Sequence, residues 1–553
     1  MSTPTFGRRR FLHGAGSLAL LAGTGSLLSA CNDSGAPSSN QADANRGAEL
    51  PTYRRFAGAE PDLPGNDTGV DDAYRNFPAE QLRSVAETPG NGGTVSGMAN
   101  IFYAIPPGPD RNAFWADLNE RLGVDLDLRM VPNADYPTVF QTVIAGGDLP
   151  DLVMMSPPPN RIPNLPQLLG AQFSNLSDHL SGDAVLDYPN LANLSTDSWR
   201  STVYNGGIYG VPIPRGRTHS YHFIRQDLFE KYGVPVELKG YDEFAEAMKA
   251  LTDSRQRRFA LSRILPTMKL LGRMNNEPNN WREEGGSFTR SYETEEFRQT
   301  VSDMTELWEA GVVHPDAFSD TQPFKQLFNA GACAVNASDG YGGWTQYIVD
   351  NKDNPEFELG LLPVYTRDGS ELAPWAYGPG QYSFAAIKQQ DDERLTMLLR
   401  VLNWLAAPFG TQEYTYRFYG EEGRDHTLDA DGNPVLTAEG TANTVLPIRY
   451  LADSPSPIFM PGRPQDADYQ HEFQSRVLPN GAADPTVGLF SNTNASKNAA
   501  IDKAFNDGVN EIIQGRKPIG DLDSLVSDWR SGGGDQIRAE YEEELQKAGG
   551  VPS

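Results

Sequence analysis

From Met98 to Met155 the chain reads MANIFYAIPPGPDRNAFWADLNERLGVDLDLRMVPNADYPTVFQTVIAGGDLPDLVMM, and this stretch decides the fold. Ala99 to Ile105 is a short apolar and aromatic run stopped by Pro106 and Pro107, which predicts a strand. Asp110 can cap a following helix in which Phe114, Leu118 and Leu122 share one face, and Gly123 supplies the stop. Val124, Leu126, Leu128 and Met130 then alternate with Asp125, Asp127 and Arg129, the period of a strand with one polar face. Pro137 opens a second helix through Val139, Phe140, Val143 and Ile144, closed by Gly146 and Gly147, and Leu152 to Met155 is a third strand. Strand, helix, strand, helix, strand with short loops predicts an α/β lobe with a parallel sheet covered by helices.

Helical stripes recur further along, at Phe297, Val301, Met304 and Trp308 before Gly311, and at Leu395, Leu398, Leu399, Leu402 and Leu405. Phe505, Val509, Ile512 and Ile513 form another, followed by Leu522, Leu525, Val526 and Trp529. No tandem repeat is present, which argues against a solenoid or propeller. The 553 residues are enough for two or more domains.

The first residues read as an address label. Arg8-Arg9-Arg10-Phe11-Leu12, an apolar run from Ala15 to Leu28, and Leu28-Ser29-Ala30-Cys31 resemble a twin-arginine signal ending in a lipobox. Residues 1–30 would be removed and Cys31 lipidated, placing the protein outside the cytoplasm on a lipid anchor. Residues 31–49 lack large apolar side chains and read as a flexible tether, and 50–95 as an irregular extension wrapped on the body. A net charge of −27 disfavours nucleic acid or anionic lipid as the main partner. Of the two cysteines, Cys333 lies in an apolar run and reads as a buried thiol, so no disulfide is expected within the chain.

Four segments resemble, in order, motifs of the extracellular solute-binding proteins, family 1, the substrate-capturing lipoproteins of carbohydrate ABC importers. They are Gly146-Gly-Asp-Leu-Pro-Asp-Leu152, Gly206-Gly-Ile-Tyr-Gly-Val-Pro-Ile213, Phe223 to Gly233, and Leu307-Trp-Glu-Ala-Gly-Val-Val-His-Pro315. The resemblance implies a periplasmic-binding-protein-like α/β fold, with two lobes joined by crossing segments and a ligand cleft between them. By that analogy lobe one comprises 96–215 plus 362–420, and lobe two 216–361 plus 421–545. Gly206-Gly207-Ile208 departs from the family's usual Asp-Gly-Lys, and the extension at 50–95 matches no family feature.

Sugar recognition needs flat apolar faces for pyranose rings and fixed polar forks for hydroxyls. Residues of those types in predicted crossings and strand-end loops are Arg217, His219, Tyr221, Asn279, Trp281, Asp339, Tyr341, Trp344, Trp375 and Tyr377, with Ser156 at a strand end. No zinc, P-loop or hydrolase-elbow signature occurs, so neither metal nor cofactor is expected. Asp429-Ala-Asp-Gly-Asn433 looks like half a calcium loop, but its twelfth position is Gly440, and a hairpin turn is the better reading. The expected function is non-enzymatic: a monomer that captures an oligosaccharide and delivers it to a membrane permease. A secreted glycoside hydrolase, or a receptor for a peptide or other polar solute, remains open at this level.

Overall fold

The computed structural model describes residues 40–319 and 323–549, all within one unit spanning Pro37–Ser553. The signal segment, Cys31 and the tether up to residue 39 lie outside the described residues. Nine strands build the two larger sheets: β1 (Thr94–Ile101), β2 (Asp125–Pro132), β3 (Leu152–Met154), β4 (Val211–Pro214), β5 (Ser220–Arg225), β6 (Phe259–Leu261), β7 (Cys333–Gly340), β8 (Leu359–Leu361) and β9 (Gln381–Ile387).

The first sheet has the order β2-β1-β3-β9-β4. β1 runs parallel to β2 and β3, as the alternation of strands and helices predicts. The expectation of a purely parallel sheet fails at β9, which lies antiparallel to both β3 and β4. This strand arrives after the second sheet is built and is inserted between β3 and β4, running against both. The first helix, Ala113–Leu122, is capped by Asn112, whose side chain accepts from the Trp115 amide, rather than by Asp110. Gly123 closes it in the left-handed region at φ 67°, a conformation glycine adopts without the Cβ clash. β1 lies earlier than predicted: it starts at Thr94 and ends at Ile101, leaving Phe102, Tyr103 and Ile105 exposed.

The second sheet has the order β8-β5-β7-β6, with β7 parallel to β6 and antiparallel to β5. Each sheet owns a core. Met98, Phe114, Leu152, Trp199, Phe384 and Leu398 belong to the first, and Phe244, Met248, Leu271, Val301, Ile512 and Trp529 to the second. Core membership moves the lobe boundaries inferred from resemblance. Leu362, Val364 and Ala373 pack with the second core, whereas Leu446, Ile448 and Leu451 pack with the first. β8 pairs with β5, so Leu359–Leu361 joins the second sheet. A third cluster, including Val70, Tyr221, Phe223, Trp344, Trp375 and Phe473, sits where the crossings meet. Cys333 is fully buried, and desolvation pushes its thiol up to about 12.

The extension follows the body closely. Thr52 donates to Gly182 O, Ala73 bridges Leu63 and Ile458, and Leu82 bridges Thr411. Tyr74 and Phe77 pack on Phe409 and Tyr414. The tether reading, drawn to residue 49, extends too far. Ala42–Gly47 is helical, Asn40 donates to Glu544, and Asn45 accepts from the Gly206 amide. These short side chains dock by hydrogen bonds, which a count of large apolar residues overlooks. Among the described residues no helix is long and apolar enough to cross a membrane.

Candidate functional site

Open α/β sheets collect ligands beyond the carboxyl ends of their parallel strands, so the site is built from those two edges. At the edge of the first sheet, Phe102 and Tyr103 stand beyond β1, 50% and 62% exposed. The Phe102 ring lies 5.7 Å from that of Tyr450, which lies 5.5 Å from Tyr382. The Arg215 guanidinium sits 5.3 Å from the Tyr382 centroid. Asn100, at the end of β1, donates to the Tyr382 hydroxyl and to Asn133 Oδ1, both at 2.7 Å. Its own Oδ1 and the Oε1 of Gln381 are buried without a hydrogen-bond partner. The cation of this wall is compensated. Asp453, 1% exposed, lies 3.6 Å from Arg215 and 3.1 Å from each of Arg417 and Arg449. Burial opposes its ionisation, but Arg449, Arg417 and Arg215 outweigh it and hold the carboxyl below its usual range.

At the edge of the second sheet, a cavity of about 510 Å³ opens at the carboxyl ends of β6 and β7, lined by Arg263, Pro266, Lys325, Asn336 and Asp339 among others. β7 carries a bulge between Asn336 and Asp339, with Ser338 at φ 48°. Asp339 accepts from the Tyr347 hydroxyl at 2.8 Å and Asn336 Nδ2 at 3.1 Å, with Lys325 Nζ 3.4 Å away. The helix Ile264–Met274 begins directly after β6 and its N-cap, Arg263, and puts Lys269 and Arg273 one turn apart on one face. Lys269 is solvent-exposed, yet the protein around it lowers its pKa by desolvation, reinforced by Arg273 and Arg263. His219, in the left-handed region at φ 51°, has its pKa lowered by desolvation and then by Lys269 and Arg215. Arg215 of one edge and Lys269 of the other both act on this imidazole.

Among the residues expected at the site, His219, Asp339, Tyr341 and Ser156 stand at these edges. Tyr341 donates its amide to His219 O, and burial raises its phenol pKa against the influence of Arg215. Ser156 follows β3 and is 9% exposed. The others are drawn into packing. Trp281 lies in the second core, its ring within 6.2 Å of Phe288, Trp529 and Tyr541. Trp344 and Trp375, 4% exposed, donate their indole N–H to Asp466 and to Thr218 O. Tyr221 is fully buried and accepts from Gln474. Asn279 clamps Tyr377 O and Ala482 O, and the Tyr377 hydroxyl donates to Leu478 O. Arg217 pairs with Asp197 at 2.6 Å and donates to Asp67 O of the extension. Composition alone does not separate a ring that stacks on a ligand from one that packs beneath its own loop.

Sequence reasoning passed over Phe102, Tyr103, Arg215, Tyr382, Tyr450, Arg263, Lys269 and Arg273. The available signal was the position of Phe102-Tyr103 just before Pro106, where a strand ends. For the helix cations the signal was Lys269 and Arg273 four apart with no acid between them. The Asp429 turn joins two paired strands, His426–Leu428 and Pro434–Leu436, with Asp429 accepting from the amides of Asp431 and Asn433.

Residues 107–408 match the family described as bacterial extracellular solute-binding protein. The chain is 24% identical over 480 residues to the polygalacturonan/rhamnogalacturonan-binding protein YtcQ of Bacillus subtilis, covering 82% of this chain and 91% of that one. Its fold resembles the alginate-binding protein AlgQ2 solved without calcium, with a TM-score of 0.60 at 14% identity, covering 84% and 99% of the two chains. It also resembles an HMO-binding, ABC-transporter-associated solute-binding protein of Bifidobacterium longum infantis, with a TM-score of 0.62 at 14% identity, covering 83% and 99%.

Proposed function

Because this chain belongs to the bacterial extracellular solute-binding protein family, we propose that it captures an oligosaccharide between its two lobes and hands it to the permease of an ABC importer. The observation that supports this reading is the pair of sheet edges, each carrying groups suited to a sugar. Tyr382, Tyr450 and Phe102 offer ring faces on one side, while Asn336, Asp339 and Lys325 offer hydrogen-bonding groups around the cavity on the other. Ser156, His219 and Tyr341 complete the proposed contact set. The names of YtcQ and of the structural neighbours support a saccharide ligand over a peptide. Binding would favour the closed arrangement of the lobes by its differential affinity for that state.

The chain acts here as a receptor and not as a hydrolase. Mass spectrometry of the ligand that co-purifies with the native protein, followed by calorimetric titration with a panel of oligosaccharides, tests this. Intact sugar at one equivalent is the expected outcome, and recovery of cleaved sugar sinks the receptor reading. Lipid anchoring through Cys31 belongs to the same proposal. Cys31→Ser should release the protein from membranes, and unchanged membrane fractionation would remove the anchor.

A further inference from the structure

Residues 40–47 hold both cores at once. Toward the second core, Asn40 Nδ2 donates to Glu544 Oε2 at 2.9 Å and the Arg46 guanidinium donates to Ala548 O. Both acceptors lie on the last helix, Asp535–Ala548, whose Ile537, Tyr541 and Leu545 belong to that core. Toward the first core, Asn45 Oδ1 accepts from the Gly206 amide at 2.8 Å, in a turn flanked by the core residues Val203 and Ile208. Asn45 Nδ2 donates in turn to Asn40 Oδ1 at 3.0 Å. A continuous run of hydrogen bonds therefore leads from Gly206 through Asn45 and Asn40 to Glu544. Gly206 has φ 75°, and a Cβ there would stand 2.9 Å from Ala44 Cβ, so the turn closes on the helix Ala42–Gly47 only without a side chain. Glu544, 8% exposed, also accepts from the amide of Phe490. Phe490 packs with the first core and its neighbour Leu489 with the second, so the chain crosses between cores at this pair. Glu540 of the same helix accepts from Ser491 Oγ and Thr493 Oγ1, just past the crossing.

We propose that Ala42–Gly47 is a strap that couples the two cores: it braces the end of the last helix against the turn at Gly206 and so restrains movement about the crossing at Leu489 and Phe490. The inference goes beyond the oligosaccharide reading and is independent of the ligand's class. The bonds of the run are weak one by one, but they act as a unit, because losing either end frees the short helix to leave the other. By linkage, a displacement of one core against the other loosens the strap, and a loosened strap permits that displacement. Direct bonds join the cores nearby, from the Asn164 amide to Asn492 Oδ1 and between Arg161 and Asp502, and the strap adds to them.

The test uses the full chain carrying Cys31→Ser, so that lipid anchoring plays no part. Hydrogen exchange is read at the Gly206 amide and in the last turn of the helix Asp535–Ala548. Spin-label distances are read between Glu120→Cys, exposed on the helix Ala113–Leu122 of the first core, and Arg516→Cys, exposed just after Ile513 of the second. Arg46→Met cuts the second-core end of the strap and Asn45→Ala the first-core end. Each is expected to raise exchange at the opposite end by at least about threefold and to broaden the distance distribution. A rise confined to the mutated end, or an unchanged distribution, overturns the strap. Deletion of residues 40–47 is the companion should a point variant lose protection in β1 or β7. It too must broaden the distribution, and an unchanged one overturns the proposal.

Discussion

Two groups of three cations differ in one respect. Arg215, Arg417 and Arg449 surround a buried carboxylate, Asp453, whereas Arg263, Lys269 and Arg273 have no acid within ion-pair distance among the described residues. The first group is a closed unit that ties the loop after Leu451 to the crossing at Arg215 and to Leu405 O through Arg417. The second has no such carboxylate, and Arg273 and Arg263 both act against the charge on Lys269. The comparison teaches that a basic residue near a cleft says little by itself. What decides whether it recognises a ligand is whether the fold already supplies its counter-charge.

The largest effect that would break this contrast is at the closed unit. Asp453→Asn leaves Arg417 buried without its carboxylate and should cost about 3–5 kcal/mol of stability in urea unfolding. A loss below about 1 kcal/mol would show that the carboxylate is not the node. Arg215→Met is milder, because Asp453 keeps two partners. About 1 kcal/mol is expected, with the Tyr382 ring losing its cation. At the open group the sign reverses: Lys269→Met should leave the ligand-free protein unchanged or more stable by up to about 0.5 kcal/mol. A clear destabilisation there would mean that Lys269 has a structural partner after all.

The smallest effect concerns an acid without a cation, the mirror image of Lys269. Asp71, on the extension, accepts from Gln474 and lies against Gly216, and burial raises its carboxyl to about 7. Its folded pKa exceeds the unfolded value, so the stability its neutral form contributes is complete below about pH 4 and is lost as pH rises through about 7. Asp71→Asn should therefore gain on the wild type between pH 5 and 8 in paired thermal melts. Parallel curves over that range would show that Asp71 stays charged.

How legible this was depended on the kind of residue. The helix at 113–122 and its Gly123 stop, and the helix opened by Pro137, lie where periodicity and punctuation place them. Their signals are local, carried by side chains within one or two turns. The antiparallel insertion of β9 was hidden because its partners, β3 and β4, are joined to it only through the second lobe. The site was less legible still. Trp344 and Trp375 sit in glycine-rich sequence that reads as loop, yet Trp344 lies in the helix Gly343–Asp350 and Trp375 in a short strand, and each finds a distant acceptor, Asp466 or Thr218 O, that no local pattern names.

By itself, then, the amino-acid sequence determined the α/β class, the likeness to solute-binding proteins and the order of the crossings, because hydrophobic period, caps and turn residues act over short separations. Tertiary structure alone decided which core each segment joins, which aromatics pack beneath their own segments and which cations remain unpaired. Those outcomes depend on burial and on partners tens to hundreds of residues away, and charge compensation exists only once the chain has brought Asp453 to one triad and no acid to the other.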